Sequence, residues 1–294
     1  LRGIATGRFG IVGAMSDAVS PNGIRHALVL GGGGAVGICW MTGLAIGLRE
    51  AGIDLSLADK FVGTSAGAVV GAVLTGHGDL QKLVRMRPPD SQGPQFDPSG
   101  FGEILGILTT PGLSANEARK LAGARALEMN VGDPADHIAR IGGLAAVSEW
   151  PEADFIVTAV DITTGELQAW TRDGAATLPE ALASSTSVPG VFPPIPIGDH
   201  YYIDGGMRSP INADLAAGAE FMLIIEPLAH LFPHAPSDSE LGGAATASIV
   251  PDAEAIKAFG LDLFSAAALQ PAYEAGYRQA AEAAPRLRAV WPSR

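Results

Sequence analysis

Apolar and polar positions divide this chain into short, nearly continuous apolar runs that end in glycine, each followed by a longer Ala-rich stretch. His26-Ala27-Leu28-Val29-Leu30 reads as a buried strand that feeds four successive glycines, Gly31 to Gly34. Residues 38–50 read as the helix that follows, ended by Gly52. The same order returns at once: a strand over 61–64, a tight turn, and an apolar helix from Ala66 that stops near Gly76 or Gly78. The uncharged run 27–48 is long enough to raise the question of a membrane span. Four glycines in a row would break such a helix, and a strand, a turn and a buried helix explain the same residues.

Residues 87–100 hold four prolines and two glycines among polar residues and read as a loop, with 87–115 as a whole an excursion from the core. Within it, Phe101, Ile104, Leu105 and Leu108 follow helical spacing, either as the apolar face of a core helix or as a lid over an acyl pocket. A further helix is predicted over 116–129, a strand over 155–160, and a turn at Thr163-Thr164-Gly165 leading into 166–170. Asp161, just before that turn, is expected to hold loop backbone. A short helix at 179–185 and a rigid Pro-rich connection at 187–194 precede the strand Tyr201-Tyr202-Ile203, which delivers Asp204-Gly205-Gly206. Residues 221–225 form another buried strand, and 252–288 are Ala-rich and helical, with breaks expected near Gly260 and Pro271. Strands alternating with helices indicate an α/β protein with a mostly parallel sheet.

Composition narrows the function classes. Against 19 basic side chains stand 31 acidic ones, a formal charge of −12. That balance argues against nucleic acid and against electrostatic docking on anionic membranes, so any transient membrane contact would be made through apolar surface. Cys39 is the single cysteine, which rules out an intrachain disulfide, and its apolar setting suggests a buried thiol. Residues 1–25 carry neither an initiating methionine nor a signal-peptide hydrophobic core. They read as a loosely ordered N-terminal arm, with a removed leader left open, and the expected location is cytoplasmic, at most peripheral to a membrane.

The candidate chemistry starts at Gly63-Thr64-Ser65-Ala66-Gly67, a G-x-S-x-G at a strand-to-helix junction. So placed, it fits a nucleophile elbow with Ser65 as the nucleophile; the pentapeptide alone more often marks an ordinary strand-to-helix turn. The four glycines offer backbone N–H groups at a helix N-terminus, suited either to phosphate or to the oxyanion of an attacked ester. Gly32-x-Gly34-x-x-Gly37 also matches the dinucleotide fingerprint, but its ribose-binding acid is doubtful: Glu50 lies inside the predicted helix and Asp54 follows no second strand. A parallel pairing of the two strands would bring Ser65 beside the glycine turn, so that nucleophile and oxyanion donors face one carbonyl. The serine needs a base. Of six histidines only His230 and His234 follow Asp204 in chain order, and they sit in a polar loop. Asp204, at the end of a buried strand before two glycines, is the better base, because a desolvated carboxylate gains proton affinity.

Gly31 to Gly37, the Ser65 elbow, Asp204-Gly205-Gly206 and the serine-rich segment running into Pro189-Gly190-Val191-Phe192-Pro193-Pro194 occur in the order found in the patatin-like phospholipases, which the chain resembles over residues 26–227. The resemblance implies a single three-layer α/β/α hydrolase domain over 26–294. It implies a Ser-Asp dyad of Ser65 and Asp204, an oxyanion hole from the N–H groups of Gly32, Gly33 and Gly34, and a lipid or other acyl ester as substrate. That chemistry calls for no metal or organic cofactor, and the acyl-enzyme would pass its acyl group to water or to an alcohol. One departure stands out: Val36 occupies a position where the family commonly has arginine or lysine. The backbone donors are unaffected, but a cation that would meet a phosphate headgroup is gone.

Overall fold

The computed structural model describes residues 11–12, 23–85 and 98–292 of the 294. Most of the predicted N-terminal arm and most of the 87–100 loop lie outside the described residues. The described strands are β1 (Ile11–Val12), β2 (His26–Leu30), β3 (Lys60–Thr64), β4 (Asp154–Asp161), β5 (Leu167–Trp170), β6 (Ile195–Ile197), β7 (His200–Asp204), β8 (Phe221–Ile225) and β9 (Ala245–Ile249). The helices are α1 (Gly34–Glu50), α2 (Ala66–Thr75), α3 (Lys82–Arg85), α4 (Pro98–Leu108), α5 (Ala115–Glu128), α6 (Pro134–Ala145), α7 (Leu178–Ser185), α8 (Ala253–Phe259) and α9 (Ala266–Leu287).

All nine strands join one sheet in the order β1-β9-β8-β2-β3-β4-β7-β6, with β5 also paired to β4. The centre, from β9 to β4, is parallel, and the remaining pairs are antiparallel. Both faces of the centre are covered, which is why β2 and β8 are apolar without alternation. On one face Leu28, Leu30, Phe61 and Val157 pack with α1, α2 and α9 in the main core. On the other, Val29, Val62 and Ile156 meet the 3-10 turn at Ala213–Ala216, and Ala126 of α5 covers Val160 and Ile203. The result is a three-layer α/β/α sandwich.

Several boundaries differ from the sequence expectation. α1 begins at Gly34 rather than at 38, because the Gly37 N–H already bonds the Gly33 carbonyl at 2.8 Å. α6 and β9 have no counterpart in the sequence expectation, although Asp133 caps α6 and Pro134 stands in its first turn, both signals of a helix start. The predicted break at Gly260 is present between α8 and α9, whereas α9 runs straight through Pro271. Pro271 stands in the second turn, where its missing N–H deprives only the Ala267 carbonyl, and Ala267 is exposed to solvent. α4 packs on α5, joined by an Arg125–Glu103 ion pair at 2.7 Å.

α1, which carries the glycine turn at its start, is held from behind by α9. Their backbones touch: a Cβ added at Gly276 would stand 2.0 Å from the Trp40 carbonyl oxygen, and one at Gly43 would stand 2.1 Å from that of Tyr273. The Trp40 indole N–H donates to Gln279 Oε1 at 2.8 Å across the same interface. Gly276→Ala must therefore push the helices apart. We expect a loss of about 3 kcal/mol, at the upper end of overpacking costs, read as a lower urea midpoint.

Candidate active site

One strand sets the level of both proposed dyad residues. β4 places Thr158 opposite Thr64 and the next residue, Ala159, opposite Asp204. On the other side of the elbow strand, β2 pairs Leu30 with Gly63, so the glycine turn leaves the sheet beside Ser65.

Ser65 has φ 52° and ψ −117°, a conformation that costs a non-glycine residue about 1–3 kcal/mol. Its surroundings enforce it. The Ser65 N–H donates to Ser185 Oγ at 2.9 Å, and its carbonyl accepts from the Ala68 N–H at 3.0 Å. A Cβ on Gly67 would lie 2.0 Å from the Leu30 carbonyl oxygen, so only glycine lets α2 start this close to β2. The serine itself is only 6% exposed.

Asp204 is buried, and desolvation raises its pKa to about 7. The Ser65 hydroxyl and the Gly206 N–H work against this rise by favouring the carboxylate. Oδ1 accepts the Gly206 N–H at 2.7 Å, while Oδ2 is buried and makes no hydrogen bond of good geometry. That oxygen is therefore available to take a proton.

The three glycines expected to donate to an oxyanion divide. Gly32 directs its N–H to the Pro210 carbonyl at 2.8 Å, so as a donor it is committed elsewhere; its α-carbon side faces Ser65 Cβ. Gly33 and Gly34 have no acceptor for their N–H groups among the described residues, and they stand at the N-terminus of α1, where the helix dipole favours negative charge. Gly34 has φ +59°, and a Cβ there would meet the Leu263 carbonyl oxygen at 2.9 Å. That carbonyl accepts the Val36 N–H at 3.1 Å, and the Val36 side chain is wholly buried.

Asn212 joins the two halves of the proposed dyad. Its Nδ2 donates to Thr64 Oγ1 at 3.0 Å, to the Ser209 carbonyl at 2.9 Å and to the Gly205 carbonyl at 3.3 Å, which links the neighbours of Ser65 and of Asp204. Its Oδ1 accepts from Arg208, which also pairs with Asp214 at 2.7 Å. Sequence reasoning passed over Asn212, which no motif marks, and Ser185, one of several serines in its segment. Nothing local tells which of them faces the elbow.

The other candidates are engaged elsewhere. His234 pairs with Glu226 at 2.5 Å, and His230 packs near Phe259. His26, His137 and His200 bond Val290, Thr186 and Asp161. Asp161 also accepts the Thr163 N–H at 2.7 Å, the loop-holding role expected of it. Of the two candidate ribose acids, Glu50 accepts the Tyr277 hydroxyl and Asp54 caps Ser56. Among the described residues no group of three His, Cys, Asp or Glu side chains is placed to hold a metal ion.

In front of Ser65 opens a cavity of about 220 Å³. Ile38, Ile141, Leu144, Val188, Phe192 and Leu269 contribute to its apolar wall, and Cys39, buried and in no disulfide, also lines it. Gly34 borders the same space, so Ser65, one of the two open N–H groups and the apolar wall share one volume.

An elbow serine, a buried carboxylate and a helix N-terminus with open donors are thus set together in a three-layer α/β/α sandwich. The patatin-like phospholipase family model matches residues 28–217, and the chain belongs to that family. Uncharacterized NTE family proteins of Mycobacterium bovis and Mycobacterium tuberculosis are each 28% identical to it over 204 residues, covering 69% of this chain and 30% of each relative. The chain thus spans under a third of the length of these relatives. Among solved structures, VipD from Legionella pneumophila aligns at TM-score 0.45 with 14% identity, over 97% of this chain and 71% of that one. The type III effector ExoU aligns at TM-score 0.39 with 16% identity, over 91% and 54% respectively.

Proposed function

We propose that this protein hydrolyses lipid acyl esters through a Ser65–Asp204 dyad and an acyl-enzyme. The observation that carries the proposal is the strained Ser65 beside Gly34, which has an open N–H, on one apolar cavity, with the Asp204 carboxylate, whose Oδ2 has no hydrogen-bond partner, buried next to the serine. Asp204 Oδ2 takes the hydroxyl proton as Ser65 Oγ attacks the ester carbonyl. The oxyanion is held by the Gly33 and Gly34 N–H groups at the start of α1. Collapse breaks the ester bond, and the leaving alcohol receives the proton from Asp204. Water, deprotonated by Asp204, then attacks the acyl-enzyme and frees the carboxylic acid and Ser65.

The acyl chain lies along the apolar wall. No helix among the described residues is long and apolar enough to cross a membrane. Access to lipid is proposed through apolar contact: Leu261 is fully exposed on the loop that carries Phe264 into the cavity wall. A series of p-nitrophenyl esters from acetate to decanoate tests the pocket. Each methylene that enters an apolar wall contributes up to about 0.8 kcal/mol, so kcat/KM is expected to climb by as much as about fourfold per methylene until the cavity is full. A flat series would remove the acyl pocket from the proposal.

A further inference from the structure

Every residue of β8 is apolar, yet the next one is Glu226, only 3% exposed. A carboxylate buried there is costly unless it is paired, and where stability alone counts an apolar residue does equally well. Its partner is His234, on the loop that leaves β8. The Nε2–H donates to Glu226 Oε2 at 2.5 Å, and this bond raises the imidazole pKa from its ordinary value against the opposing effect of burial.

The pair stands directly behind the glycine turn. Leu30 pairs with Ile225, so Gly31 lies beside Glu226, and the Gly31 N–H donates to the Ile225 carbonyl at 2.9 Å. The next residue, Pro227, packs against Gly33: a Cβ there would lie 2.8 Å from Pro227 Cβ, and one at Gly37 would lie 3.3 Å from the same atom. The proline ring fixes φ, so the direction in which Glu226 leaves the sheet sets where that ring stands. At the far end of the loop the Ala235 N–H, next to His234, donates to Asp238 Oδ2 at 2.9 Å. Asp238, also buried, accepts the Ser209 hydroxyl at 2.6 Å and the Ala213 N–H at 3.1 Å. Between those two residues lies Pro210, whose carbonyl accepts the Gly32 N–H at 2.8 Å. The loop is thereby tied to both supports of the turn, Pro227 at Gly33 and Pro210 at Gly32. Gly31, Gly32, Pro210, Glu226 and His234 border a void of about 10 Å³, room for no more than one water.

We propose that the Glu226–His234 pair positions the oxyanion donors, clamping Pro227 and Pro210 so that the Gly33 and Gly34 N–H groups keep their direction. This rests on the oxyanion role proposed for those two glycines. His234 is a positioning residue: it does not line the cavity in front of Ser65 and acts only through the turn. Without its imidazole Glu226 is left buried and unpaired, and turning toward water relieves the charge at the expense of the contact between Pro227 and Gly33. His234→Ala is expected to lower kcat on p-nitrophenyl octanoate about tenfold or more, with KM within about twofold of wild type, because the oxyanion bonds strengthen only in the transition state. His234→Gln, whose side-chain amide donates to Glu226 in place of the ring, is expected to bring kcat back to within about threefold of wild type. The His234 side chain is 55% exposed, so both variants are expected to be folded at the assay temperature, as melting curves would show. A loss carried by KM, an unchanged kcat in His234→Ala, or a His234→Gln as slow as His234→Ala overturns the proposal.

Amide hydrogen exchange, read by NMR, keeps this outcome distinct from failure of the hydrolase reading. The Gly31 and Gly32 N–H groups, held by the Ile225 and Pro210 carbonyls, are expected to exchange about tenfold faster in His234→Ala than in wild type, with those of β3 unchanged. If wild type cleaves no ester, this local loosening, reversed in His234→Gln, still supports the clamp. Unchanged exchange at Gly31 and Gly32, or an equal acceleration throughout β3, overturns it.

Discussion

Replacing Ser65 by alanine is expected to lower ester hydrolysis at least about a thousandfold and to abolish covalent labelling by a fluorophosphonate. Without Oγ no acyl-enzyme forms, and only the N–H groups of Gly33 and Gly34 are left to polarise the carbonyl. Ser65→Gly is expected to be as inactive but more stable than Ser65→Ala by about 1–2 kcal/mol, because φ 52° with ψ −117° strains alanine and not glycine. Activity assays, labelling stoichiometry and thermal melts read the two effects separately. Full labelling of Ser65→Ala would assign the nucleophile elsewhere, and equal melting of the two variants would mean that the elbow stores no strain.

Asp204→Asn is expected to remove activity and to add stability, in a pH-dependent way. The folded-state pKa is about 7, against an ordinary value of 3.8, so between those values the folded protein keeps a proton that the unfolded chain has lost. Raising the pH through this window therefore favours unfolding. Below it both states are protonated and the carboxyl has no pH-dependent cost. Above pH 7 the buried charge costs on the order of 4 kcal/mol, from about three pH units at roughly 1.36 kcal/mol each. Asparagine carries no charge, so the stability advantage of the variant should grow between pH 4 and 7 and stay level above. Wild-type kcat/KM should rise with pH through about 7 and reach a plateau, since only the carboxylate accepts the serine proton. Denaturation midpoints and pH–rate profiles check both halves. A variant that keeps full activity would sink Asp204 as the base.

These two predictions depend on the same feature, a proposed reaction centre whose two residues are kept in unfavourable states by the scaffold around them. Ser185 and the packing of Gly67 on Leu30 hold the serine in its strained turn. Asn212 bridges the Thr64 hydroxyl and the Gly205 carbonyl, next to each proposed dyad residue, and lies among buried threonines. Neither support reacts, yet both keep the hydroxyl and the carboxylate at one level of the sheet.

What the order of residues determined by itself was local. An apolar run long enough to be buried on both faces predicts β2, β3 and β8, and glycines at their ends predict turns that open into helices. Ser65, Asp204 and the glycine turn were therefore legible, because each combines a strand end with residues that few other structures need. The tertiary structure decided what depends on partners distant along the chain. Pro210 engages the Gly32 N–H, which leaves Gly33 and Gly34 as the open donors. Burial raises the proton affinity of Asp204, and the packing of α6 brings Ile141 and Leu144 to the cavity wall. Pro271 could pass within α9 because the carbonyl it deprives belongs to Ala267, a residue exposed to solvent. Local pattern reports which backbone conformations a segment can adopt. Desolvation and hydrogen-bond partnership exist only once the layers have packed.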